Sequence, residues 1–291
     1  MISMTKKISR RSFLKKVAAT VLGTGVLGVG GYSYARFIEP SQITLTEITY
    51  ASTRLPMGFD GLTIAQFSDT HIGFQYTEKQ LEKHIKKIQS CQPDMIIFTG
   101  DLLDKPNQYK KFPSLVASLS DLDAPLGKYA VYGNHDHGAC GTDIYADIMT
   151  QSGFTLLRNE AISVPRNDDK IIISGVDDPS LGQPDFKPIE KAVGSESFHI
   201  LLSHAPDLAD IASTFDLQLS GHSHGGQIQL PLFGPLIVPP YAEKYIEGRY
   251  DVPIHNRDAT IYVNRGLGTT RLPFRLLSIP EITLFTLRKT S

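Results

Sequence analysis

Cysteine is scarce in this chain. Cys91 and Cys140 are the only two among 291 residues, too few for a disulfide framework, and their number neither forces nor forbids a bridge between them. Charge of one sign is equally lacking: 29 Lys and Arg stand against 30 Asp and Glu, a formal net charge of −1. That balance removes the electrostatic case for a nucleic-acid partner. No internal repeat recurs, so a repeat array is not expected. Apolar runs long enough to cross a bilayer are missing too, apart from a borderline stretch at 17–34.

The N-terminus carries the first positive signal. Ser9-Arg10-Arg11-Ser12-Phe13-Leu14-Lys15 matches the twin-arginine export motif and precedes a weakly hydrophobic, Gly-rich run at 17–31. Ser33-Tyr34-Ala35 offers small residues for a cut after Ala35, although Tyr34 and Arg36 suit it poorly. A generic secretion leader or a retained membrane anchor are the competing readings. Passage through the twin-arginine translocase is expected, cleaved or not, leaving the protein in the cell wall, in the periplasm or attached to the membrane. Residues 1–35 are therefore set apart as signal or anchor, 36–61 as a lead-in with an opening strand, and 62–291 as one domain.

The strongest pattern lies in that domain. The apolar run 62–68 ends at Asp69-Thr70-His71, and 95–99 ends at Gly100-Asp101. Run 129–132 ends at Gly133-Asn134-His135-Asp136, 198–203 at His204, and 217–220 at Gly221-His222-Ser223-His224. Each run reads as a strand, and in sheets flanked by helices ligands gather beyond the carboxyl ends of strands. Any one such cluster is common turn chemistry. Five in series pool carboxylate oxygen, imidazole nitrogen and an amide oxygen, a donor set suited to Mn, Fe or Zn and not to Cu(I). Of the other histidines, His84 reads as part of a charged helix face, His199 as a strand residue and His255 as a loop residue. His137 is left unassigned.

In that order, these motifs resemble the calcineurin-like metallophosphoesterases over about 62–291. The stretch 221–231 (GHSHGGQIQLP) and the tail 262–280 are similar to the exported YkuE/YaeI-type branch, which includes phosphodiesterases and relatives that split the pyrophosphate of UDP-diacylglucosamine. The resemblance implies an α/β fold of two packed mixed β-sheets flanked by helices, and a pair of divalent cations, manganese first, with iron or zinc as alternatives. It implies Asp69, His71 and His224 around one cation, Asn134, His204 and His222 around the other, and Asp101 as the bridge. An anionic bridge lowers the repulsion between cations about 3.5–4 Å apart. His222 and His224 would share a face on a strand but can diverge on a loop. His135 resembles the residue that protonates the leaving oxygen, with Asp136 orienting its ring, and no covalent phospho-enzyme is needed. Asp104 stands where purple acid phosphatases carry tyrosine, and Asp136-His137-Gly138-Ala139 lacks the arginine that protein phosphatases place after Asn-His.

Two alternatives stay open. Gly221-His222-Ser223-His224-Gly225 also fits a serine-esterase elbow built on Ser223, but the Pro- and Gly-rich 226–235 cannot start the long helix which that elbow needs. A catalytically silent, metal-containing envelope module is the other. Helices are expected at 77–90, with Thr77 and Gln80 as a capping box, and at 112–119, 142–151 and 207–213. Strands are expected at 43–51, 155–157, 161–164, 170–174, 245–250, 259–263 and 282–287. The substrate expectation rests on 230–241, with Leu232, Phe233, Leu236, Ile237 and Val238, and on Leu272, Phe274, Leu276 and Leu277 interleaved with Arg265, Arg271 and Arg275. These residues form either ordinary packing or an apolar groove beside phosphate-binding arginines, which would suit a lipid-linked phosphoester.

Overall fold

A computed structural model describes Arg11 and residues 28–138, 142–254 and 257–291. The export motif other than Arg11, most of the 17–31 run, Cys140 and with it the open question of a bridge to Cys91, and the loop at His255 lie outside the described residues. No described helix is long and apolar enough to cross a membrane.

The strands, in chain order, are β1 (Thr44–Ser52), β2 (Thr63–Phe67), β3 (Met95–Phe98), β4 (Lys128–Ala130), β5 (Phe154–Leu156), β6 (Glu160–Arg166) and β7 (Asp169–Gly175). There follow β8 (His199–Leu202), β9 (Leu217–Ser220), β10 (Gln229–Leu230), β11 (Gly234–Pro235), β12 (Gly248–Ile254), β13 (Arg257–Val263) and β14 (Glu281–Lys289). Helices are α1 (Glu78–Ser90), α2 (Phe112–Ser120), α3 (Asn134–His137), α4 (Thr142–Gln151) and α5 (Lys187–Ala192). One six-stranded sheet runs β1-β14-β2-β3-β4-β5, and the other runs β12-β13-β9-β8-β7-β6. Both are mixed: β2 to β5 are parallel with β14 antiparallel to β2, and β7, β8, β9 and β13 are parallel between antiparallel edges β6 and β12.

The continuous apolar runs follow from burial on both faces. In β3, Met95 and Ile97 point into the layer between the sheets, where they meet Ile200, Leu202 and Leu217. Ile96 and Phe98 point outward and pack under Leu81, Ile85 and Ile88 of α1, Leu115 and Leu119 of α2, and Ile148 and Met149 of α4. The outer face of the second sheet, including Leu201, Ile261 and Val263, is covered by Ile189 of α5 and by Leu208 and Phe215. The result is four layers, helix–sheet–sheet–helix, as expected.

Helix α1 begins on the anticipated capping box, with the Thr77 hydroxyl accepting the Gln80 N–H and the Gln80 side chain accepting the Thr77 N–H. His84 departs from expectation. It is buried, and its Nδ1 lies 2.7 Å from the Tyr76 hydroxyl, because it borders the apolar stripe rather than the charged face. The helix expected at 207–213 is a 3-10 turn at Pro206–Asp210. The strand expected at 245–250 starts only at Gly248, because Tyr245 is tied by its N–H to Asp207 and by its hydroxyl to Asp210. Helix α5 and the β10–β11 hairpin were not anticipated; both are short and carry little periodicity.

Candidate metal centre

The carboxyl ends of β2, β3, β4, β8 and β9 open on one rim, and each delivers one anticipated cluster. The turns there are tight. Asp69, His71, Asp101, His222 and His224 all adopt left-handed backbone, with φ between 44° and 71°. Such conformations cost of order 1–3 kcal/mol each for non-glycine residues and persist only when the surroundings fix them. The surroundings are visible. The Asp136 carboxylate accepts the N–H groups of Asp101 (2.8 Å), Leu102 (3.0 Å) and Gly133 (2.8 Å). The Asp69 carboxylate, carried by the first sheet, accepts the His222 N–H of the second at 3.0 Å.

Gly133 marks the closest approach: a Cβ there would lie 2.2 Å from Asp101 Oδ1. Gly133→Ala is therefore expected to displace the Asp101 carboxylate. The measurable outcome is loss of bound metal and a fall in activity of roughly 10²-fold, the order that a 1 Å misplacement costs. Unchanged metal content and rate would refute it.

Among the described residues three groups of donors converge, each with its candidate ligand atoms within 4.8 Å of one another: Asp69, His71 and His224; Asp101, His204 and His222; and, flanking the first, His71, Asp104 and His135. His224 Nε2 lies 3.5 Å from Asp69 Oδ1 and 3.1 Å from His71 Nε2. Asp101 Oδ2 stands between the first two groups, 3.4 Å from His71 Nε2 and 3.3 Å from His204 Nε2. Burial lowers His71 and His222 to about 3 and His224 well below the usual value, so these rings are neutral and hold lone pairs to give. Burial also raises Asp69 to about 6.

The residues fit a pair of cations on two observations. His204 Nδ1 faces the Thr99 carbonyl at 2.7 Å, and His222 Nε2 faces the Pro240 carbonyl at 2.9 Å. Carbonyls only accept, so those nitrogens carry the protons, and the inward nitrogens, 3.0 Å apart, present two facing lone pairs. A cation relieves that repulsion. A proton can compete for the same place: although burial opposes it, the Asp101 carboxylate draws the His204 pKa well above normal. Second, Asn134 Oδ1 is buried without a hydrogen-bond partner among the described residues, as a ligand oxygen awaiting a cation would be.

The flanking residues bring corrections. Asp136 does not orient the His135 ring; its oxygens are committed to the backbone N–H groups named above. The His135 Nδ1 instead meets the Asp104 carbonyl at 2.8 Å. Burial opposes it, but Asp101 and Asp104 raise the His135 pKa above the usual histidine value. The Asp104 carboxylate also lies 3.8 Å from His71 Nδ1. Sequence reasoning used Asp104 only as a missing tyrosine, and its spacing three after Asp101 was the available signal. His137 proves to be paired with Asp177, at 2.6 Å, and stacked on Tyr132.

Of the three arginines, only Arg271 lines the pocket. Arg275 is fully buried and binds the carbonyls of Arg265, Gly266, Gly268 and Ser278, bracing the loop behind His224. Arg265 is tied to Glu281 at 2.8 Å and faces Glu247 at 3.7 Å. The Ser223 hydroxyl accepts the Gly225 N–H inside a three-residue turn, His224–Gly226, so no elbow helix follows it. The pocket opens from the candidate ligands onto an apolar wall of Ile228, Leu236, Ile237 and Leu272.

Comparison with known proteins agrees with this geometry. Residues 62–226 match the family described as calcineurin-like phosphoesterase. The uncharacterized metallophosphoesterase YkuE of Bacillus subtilis is 46% identical over 98% of this chain and 100% of its own length. An uncharacterized metallophosphoesterase of Aquifex aeolicus is 31% identical over 89% of this chain and 96% of its own. The UDP-2,3-diacylglucosamine pyrophosphatase LpxG of Chlamydia trachomatis is 30% identical over 91% of this chain and 94% of its own. With its ordered motifs converged on one rim, the chain belongs to the calcineurin-like phosphoesterase family and is a metallophosphoesterase.

Proposed function

We propose that this enzyme hydrolyses a phosphodiester or pyrophosphate bond in an amphiphilic, lipid-linked envelope compound, of the kind that UDP-diacylglucosamine represents. The observation that carries the two-cation reading is the position of Asp101 Oδ2 within 3.4 Å of His71 and 3.3 Å of His204. Asp69, His71 and His224 would hold one cation, Asn134, His204 and His222 the other, with Asp101 between them; manganese is preferred over iron or zinc. When bound, such a pair supplies charge neutralisation at phosphorus and a water acidic enough to react near neutral pH. His135, aligned through Nδ1 by the Asp104 carbonyl, leaves its other nitrogen free for the leaving oxygen. Arg271 and the apolar wall both line the pocket, which supports a cationic contact to a phosphoryl oxygen beside an apolar one to acyl chain. The name of the Chlamydia relative, a pyrophosphatase of a diacylated sugar nucleotide, supports that choice.

The test is a metal-resolved screen of the purified chain on amphiphilic pyrophosphates, diesters and soluble monoesters. Activity should be lost on chelation, return with Mn, and favour amphiphilic substrates. Equal rates on a soluble monoester would overturn the substrate class, and metal occupancy with no turnover at all would favour a silent module. Export by the twin-arginine route belongs to the same reading and rests on the 9–15 motif. Arg10→Lys with Arg11→Lys should then leave the chain in the cytoplasm on fractionation, and normal export of that variant would refute the route.

A further inference from the structure

We infer, resting on the phosphoesterase reading only for what the pocket does there, that the mouth of the pocket is a membrane-docking lip whose β10–β11 hairpin inserts into a bilayer carrying anionic lipid. At the hairpin tip Leu232 is 102% and Phe233 84% exposed. The turn closes with the Phe233 N–H on the Leu230 carbonyl at 3.1 Å, Pro231 second and Leu232 third at φ 72°. That third position ordinarily takes Gly or Asn, because a left-handed backbone is strained for a side chain such as leucine. A leucine held in strain and fully in water gains nothing within this fold. Leu236, Ile237, Leu272 and Leu277 continue the exposed apolar surface around the mouth.

The charge of the rim selects the occupant. Residues 226–242 carry no charged side chain, and 266–280 carry two arginines and no carboxylate. One of these, Arg275, is buried, and Arg271 is exposed at the mouth. A protein partner ordinarily meets a rim rich in polar groups, whereas an apolar tip with a lone cation suits lipid tails below anionic headgroups. The lead-in segment joins the same face. Tyr32 stands edge-on to Phe274 at 5.4 Å, the Ala35 carbonyl accepts the Arg275 N–H at 2.9 Å, and Phe37 and Ile38 are exposed. Residues 32–38, which follow the apolar 17–31 stretch in sequence, therefore join the domain at the lip, on the face a bilayer would meet. Amphipathic surfaces of this kind bury themselves about 5–10 Å deep, which would set the pocket at the level of a lipid's phosphate.

The chain has no tryptophan, so Phe233→Trp in the full-length protein gives a single tryptophan, whose emission is excited apart from that of the tyrosines. Vesicles of equal parts phosphatidylcholine and phosphatidylglycerol should shift its emission to the blue, and lipids brominated along their acyl chains should quench it. Emission that stays aqueous and open to iodide while the chain sediments with vesicles would overturn the lip, leaving attachment to the N-terminal run. A blue shift in buffer alone that grows with protein concentration would assign the face to a second copy and also overturn it. Leu232→Asp with Phe233→Asp should slow hydrolysis of a vesicle-embedded amphiphilic pyrophosphate by roughly tenfold or more and leave a soluble diester unaffected. Equal effects on both substrates would count against insertion. The fluorescence readout needs no turnover, so failure of the lip and failure of the hydrolase reading are separately visible.

Discussion

Asp101→Asn should reduce bound divalent metal from two per chain to one or fewer and lower kcat/KM by at least ~10³-fold, beyond the loss typical of a single preorganised transition-state donor. Asparagine keeps the shape and can still accept the His135 N–H that Asp101 Oδ1 now takes at 2.8 Å. What it loses is the negative charge at Oδ2, between His71 and His204. Two cations held against one another without that charge repel, so both sites weaken together. Elemental analysis of the purified variant beside its kinetics separates this from misfolding. Two metals retained at full activity would remove Asp101 from the centre.

His135→Gln should behave in the opposite way. Metal content should hold, because no ligand is touched, while kcat falls by about 10²–10⁴-fold, the usual worth of a positioned proton donor. The imidazole is partly open to the pocket, with a side chain 25% exposed. The loss should shrink when the leaving group is a nitrophenolate, which departs without needing a proton. A uniform loss across leaving groups would instead assign His135 to substrate positioning. Loss of metal would assign it to the ligand shell.

The candidate ligand positions were legible because their signals are local. Each follows a strand buried on both faces, so the apolar run and its abrupt polar stop are written in consecutive residues, as at 95–101 and 217–224. What could not be read depends on groups that meet only after folding. Asp136 looks like a partner for the histidine beside it. The three N–H groups it serves, at Asp101, Leu102 and Gly133, lack strand partners only because the loops cross there. Arg271 and Arg275 are indistinguishable in sequence, four residues apart. One reaches the pocket and the other is swallowed by carbonyls of its own loop, a difference set by long-range closure. His84 was misjudged for a simpler reason: it lies at the margin of the α1 stripe, where one helical step decides between water and the Tyr76 hydroxyl.

The position of β14 has a consequence for biosynthesis. It sits between β1 and β2, pairing Thr44 with Glu281 on one side and Gln66 with Thr283 on the other. Until the ribosome has passed Lys289, β1 therefore has no neighbour and the edge of β2, which leads directly into Asp69, hangs open. Pairings this distant are slow to form and vulnerable to clumping in the interim. The strands that lead into Asp69 and Asp101 are thus translated early but can become rigid only once β14 has been made.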